Sequence, residues 1–108
     1  MLFKPEHKEM ILNGTKTATR RIWKKPMVKT GGIYKCKTKM FSKEFFAKIK
    51  VTKIFKQQLV DMTFEDLKKE GYKTTEEFIG IWEKINGRGS FEGDIEVDVI
   101  EFKLEEKK

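Results

Sequence analysis

A chain of 108 residues that is 38% hydrophobic and 38% charged describes one small domain, residues 1–108, too short for two independent cores. It has no apolar run able to span a bilayer and no secretory leader, so a cytoplasmic protein without a membrane partner is expected. A single cysteine, Cys36, and a single histidine, His7, exclude an internal disulfide and a Cys- or His-rich metal centre.

The formal charge of +7 is unevenly placed. Residues 1–60 carry 16 Lys and Arg against 3 acids, whereas residues 61–108 carry 8 against 14. A basic half of this strength suits a polyanionic partner, nucleic acid first. The alternative is a sheet whose lysine-rich strands pair with carboxylates on neighbouring strands.

Pro5 is placed for the first turn of a helix, and Phe3, His7, Met10 and Ile11 recur at helical spacing before Gly14 stops it. The run Asn13-Gly14-Thr15-Lys16-Thr17-Ala18-Thr19-Arg20-Arg21 then brings hydroxyls and cations together with no acid among them. Unpaired buried cations are costly, so this run is expected to face water or an anionic ligand. Trp23, among lysines, serves either as a stacking surface for a base or as a lid over the core. Ile33–Met40 alternates, with Tyr34, Cys36, Thr38 and Met40 on one face and lysines on the other. Phe45, Ala47, Ile49 and Val51 repeat the pattern, giving an antiparallel hairpin. Its lysine stripes either track phosphates or are a solvated face. Cys36 reads as a small buried strand residue.

Thr63 and Thr74 open two helices, the second with Glu77 at capping-box spacing and with Phe78, Ile81, Trp82 and Ile85 on one face, which assigns Trp82 to the core. In the last strand Val97 and Val99 give way to Ile100, Phe102 and Leu104 on the opposite parity, which predicts a bulge. Strands and helices without regular alternation give an α+β fold.

The pattern Gly14-x-Lys16-x-x-Thr19-Arg20 resembles the signature loop of the ASCH domain, a relative of the RNA-binding PUA domains. The likeness extends through Gly31-Gly32, the strand from Phe46 to Ile54, and Leu67-x-x-Glu70-Gly71-Tyr72 with Glu77-Phe78 and Trp82. It implies a PUA-like, small, partly open β-barrel with flanking helices and a cleft lined by the signature loop. It also implies RNA or nucleotide binding through Gly14, Lys16, Thr17, Arg20, Arg21 and Trp23.

Small bacterial ASCH amidohydrolases that deacetylate acetylcytidine use a lysine, a threonine and a glutamate. By motif position these correspond to Lys16, Thr19 and Glu70, a candidate catalytic set. An RNA-cleaving enzyme, with Lys16 and Arg20 stabilising a charged transition state, is a third reading. The Glu77–Ser90 arrangement has no counterpart in those amidohydrolases. No metal and no organic cofactor is implied. The sequence leaves the oligomeric state and the meeting of Lys16 with Glu70 open.

Overall fold

The computed structural model describes Met1–Lys108, with three helices beside a four-stranded curled half-barrel, the α+β arrangement expected. Helix α1 (Pro5–Leu12) begins at its proline, and Gly14, at φ +80°, turns the chain into β1 (Ala18–Arg21). A non-glycine residue would be strained at that angle. Strand β2 (Ile33–Cys36) pairs with β3 (Ala47–Gln58), Tyr34 opposite Ile49 and Cys36 opposite Ala47. The hairpin is therefore present with a shorter first strand. After Cys36 the chain leaves the sheet, and Lys37 bridges Leu2 instead of continuing the ladder.

Helices α2 (Phe64–Glu70) and α3 (Thr75–Asn86) each start with a reciprocal capping box, Thr63 with Asp66 and Thr74 with Glu77. Each box satisfies backbone donors that would otherwise be orphaned at the helix start. Gly71 ends α2 in the left-handed conformation at φ +97°, where a Cβ would meet Met10 Cε at 2.5 Å. The last strand, β4 (Glu96–Lys107), lies between β1 and β3 in an all-antiparallel sheet of order β1-β4-β3-β2.

That position explains the charge asymmetry in part. The acid-rich final strand sits between basic ones, so Lys48 meets Glu106 at 3.4 Å and Lys56 meets Asp98 at 3.2 Å. Lys69, near the end of α2, meets Glu101 at 2.9 Å.

The bulge expected at Val99–Ile100 falls elsewhere. Val97 to Glu101 pair in unbroken register with β3, and the extra residues are Thr52 on β3 and Glu105 on β4. The parity change has a different cause, which is that β4 is buried on both faces here. Val97 and Val99 pack with Leu67, Phe78 and Trp82, while Ile100 packs with Val28 and Val51. Phe3, Ile11, Cys36, Ala47, Ile49 and Phe102 form a third cluster under α1. Cys36 is fully buried there, and burial pushes its thiol up to about 11. No helix is long and apolar enough to cross a membrane.

Candidate functional site

A cleft of about 420 Å³ is lined by the chain start and α1 (Leu2 to Pro5 and His7), by Lys16 with Thr19 to Trp23, by Thr38, and by Glu70, Tyr72 and α3. Its size falls within the range of about 300–1,000 Å³ usual for small-ligand sites. The elements converge because the signature run is tied to α1 and α2 through backbone bonds. Lys16 N–H donates to the Met10 carbonyl at 2.9 Å, and Thr17 N–H donates to the Lys69 carbonyl at 2.7 Å. The Thr17 carbonyl in turn accepts from Phe102 N–H at 2.9 Å, which fixes the run to β4.

The floor of the cleft is an ionic network. Glu70, the last residue of α2, accepts from Lys16 Nζ at 2.8 Å with Oε1 and from Arg20 Nη1 at 2.9 Å with Oε2. Lys16 Nζ also donates to the Glu70 carbonyl at 3.3 Å. Arg20 reaches Asp66 at 3.3 Å and gives two hydrogen bonds, of 3.1 and 2.8 Å, to Gln57 Oε1. Lys16, Arg20 and Glu70 are only 2%, 6% and 3% exposed. Asn13 to Thr15 face water as expected, but Lys16 and Arg20 are buried against carboxylates of the protein rather than facing water or an anionic ligand. The acids that make burial tolerable come from α2, about fifty residues further along the chain, and two buried cations share two carboxylates. Burial lowers the pKa of the Lys16 ammonium, and Glu70 partly offsets this.

Arg21 behaves differently. Its Nε donates to Thr19 Oγ1 at 3.1 Å and its Nη2 to the Leu2 carbonyl at 2.7 Å, and its guanidinium lies 4.9 Å from the centre of the Phe3 ring. The cleft is also lined by aromatic rings. Tyr72, Phe78 and Trp82 follow one another edge to face or tilted, with ring centres about 6 Å apart, and Trp23 also lines the cleft. His7 Nε2 and Tyr72 Oη share a hydrogen bond of 2.6 Å.

Burial, with Lys16 nearby, lowers the His7 pKa from 6.5 to about 4, and burial raises the Tyr72 phenol to about 12, so both are neutral at pH 7. The unfolded chain takes up a proton at the ordinary value of 6.5, whereas the folded chain resists it. The stability carried by neutral His7 is therefore complete above pH 6.5 and is lost as the pH falls toward about 4. Urea midpoints at pH 7 and pH 4.5 should differ more for the native chain than for His7→Phe. Equal losses would show that His7 is not held neutral by the fold.

No protein-family model matches the chain, and no curated protein matches it in sequence. Its shape is more informative. An ASCH domain from Lactobacillus crispatus superposes with a TM-score of 0.71 at 17% identity, over 90% of this chain and 69% of that one. The Enterococcus faecalis protein EF3133, of the DUF984 family, gives 0.73 at 16% identity over 94% and 68%. ASCH from Zymomonas mobilis gives 0.64 at 14% identity over 100% and 71%.

The chain has the ASCH-domain fold.

It spans about two thirds of the length of these ASCH structures. Within this ASCH fold, Lys16, Thr19, Arg20, Arg21, Trp23 and Glu70 all line one cleft. Lys16 and Glu70, far apart in sequence, are in direct contact. Gly14 and Thr17 are outside the lining: Gly14 is exposed at the turn, and Thr17 spends its backbone on α2 and β4. Thr19 Oγ1 is bonded to Arg21.

The sequence reading missed Asp66, Gln57 and the His7–Tyr72 pair as parts of the site. The acid-free basic run was itself a signal that counter-charges had to come from elsewhere. Nothing in the local pattern named Asp66 or Gln57. Trp82 is buried in the core as expected and also forms a wall of the cleft.

Proposed function

We propose that this ASCH domain binds a nucleobase-bearing ligand, a nucleoside or nucleotide, in the cleft lined by Trp23, Tyr72, Phe78 and Trp82. The observation that carries the reading is an aromatic-walled cleft of about 420 Å³ with neutral hydrogen-bonding groups, His7 and Tyr72, beside a charged floor. A planar base gains about 1–3 kcal/mol from stacking on an aromatic ring. The cleft suits one nucleotide unit, so an RNA ligand would enter by a single splayed or terminal base. Titration with the four ribonucleosides, followed by tryptophan fluorescence, tests the reading. Saturable quenching that weakens at least about tenfold in Trp23→Ala is expected. Absence of a change with any of the four would remove it.

A second reading, an amidohydrolase acting on an acylated nucleoside such as acetylcytidine, is favoured by the 2.8 Å contact of Lys16 with Glu70 beside Thr19. A lysine whose pKa is depressed by burial can serve as a general base, and an adjacent carboxylate can exchange its proton. Thr19 would have to release Arg21 to act as the nucleophile. Incubation with acetylcytidine should yield cytidine and acetate, with the product lost in Lys16→Ala. Deacetylation that persists in that variant would remove Lys16 from the mechanism.

A further inference from the structure

We propose that the ligand of the cleft carries a phosphate and that Arg21 is its receptor. The inference rests on the nucleobase reading and adds the ligand's charge, which makes the ligand a nucleotide rather than a nucleoside.

Four cations line the cleft, Lys4, Lys16, Arg20 and Arg21, against one carboxylate, Glu70. Lys16 and Arg20 are already neutralised by Glu70 and Asp66. Arg21 has no carboxylate within salt-bridge distance, although it is half-buried. Its Nε and Nη2 are occupied by neutral oxygens of Thr19 and Leu2, and Nη1 has no acceptor in the protein. Glu70 acts on Arg21 only at a distance and does not outweigh the desolvation of the guanidinium, and an anion on the ligand offsets that cost.

The guanidinium is also fixed in place. Two hydrogen bonds and the Phe3 ring hold it before any ligand arrives, so little side-chain freedom remains to be lost on binding. A planar fork of donors matches phosphate oxygens in a way that an ammonium does not. The rest of that wall has the same sign. Lys4 lies at the start of α1 and lines the same cleft. Thr19, while accepting from Arg21, keeps its hydroxyl proton for a phosphate oxygen. Glu70 does not oppose the anion, because both its oxygens are engaged by Lys16 and Arg20.

The test is calorimetric titration at low salt with each ribonucleoside, its 5′-monophosphate, a 5′-phosphorylated trinucleotide and inorganic phosphate. The proteins are the native chain, Arg21→Gln and Arg21→Lys, each checked for native circular dichroism. At least one monophosphate should bind the native chain at least about tenfold more tightly than its own nucleoside. That ratio should fall to about one in Arg21→Gln, be partly kept in Arg21→Lys, and shrink with added salt for the native chain. Trinucleotide binding that exceeds monophosphate binding supports the same phosphate site with an RNA end as its source.

Equal affinity for nucleoside and monophosphate overturns the proposal, as does an advantage that survives unchanged in Arg21→Gln. Inorganic phosphate separates the two readings. If it binds the native chain but not Arg21→Gln, while no nucleoside binds, the Arg21 site stands and the nucleobase reading falls. If neither phosphate nor any monophosphate binds, the Arg21 proposal is wrong even where nucleosides bind.

Discussion

Glu70→Ala should be the most damaging single truncation in the ionic floor, destabilising the protein by about 3–5 kcal/mol. The carboxylate is the direct partner of both Lys16 and Arg20, and its removal leaves a 2% exposed ammonium with no counter-charge and a guanidinium with only Asp66 and Gln57. Small domains are stable by about 5–15 kcal/mol, so such a loss is large enough to leave part of the population unfolded at room temperature. Lys16→Met makes the informative contrast. Methionine keeps most of the apolar stem, and Glu70 keeps Arg20 as its partner, although its Oε1 loses the Lys16 donor. Its cost should fall below that of Glu70→Ala, since each variant removes one partner of a buried pair but only Glu70→Ala leaves a fully buried charge with no ionic partner. Urea unfolding of the two variants decides the point. Were Glu70→Ala to cost less than Lys16→Met, Glu70 would not be the partner that makes burial of both cations tolerable.

The same network marks where local sequence reading stops. Gly14 as a turn, the two threonine caps and the alternation of β3 were legible because each depends on residues within a few positions of one another. Burial of Lys16 and Arg20 was not, because whether a cation is exposed depends on whether an acid reaches it, and Glu70 and Asp66 come from a helix that only the tertiary fold brings there. The ASCH resemblance supplied Glu70 as a candidate without its geometry, and it did not supply Asp66, Gln57 or His7. The last strand fails for a related reason. Its change of parity looks like a bulge when each strand is assumed to have one wet face, but Val97 through Ile100 have none. Polar and apolar periodicity reports faces only where water touches one of them.

Trp82→Ala should cost about 3–5 kcal/mol and widen the cleft at the same time. Trp82 is 3% exposed and stacks against Phe78 and Phe91 with ring centres at 6.0 and 6.4 Å, so truncation opens a cavity between α3 and β4. Its Nε1 donates to the Ser90 carbonyl at 3.3 Å, which ties the segment after α3 back to the helix. Trp82→Phe separates the two roles: it retains most of the apolar volume and loses the indole donor. Stability should then fall by about 1–2 kcal/mol, the hydrogen bond together with the smaller ring. Because the cleft wall is the same side chain that closes the core, nucleoside affinity should fall in both variants, and further in the alanine one. If affinity stays unchanged in Trp82→Ala under conditions where the variant is folded, the ligand does not use the α3 wall, and stacking in the cleft would rest on Trp23 alone.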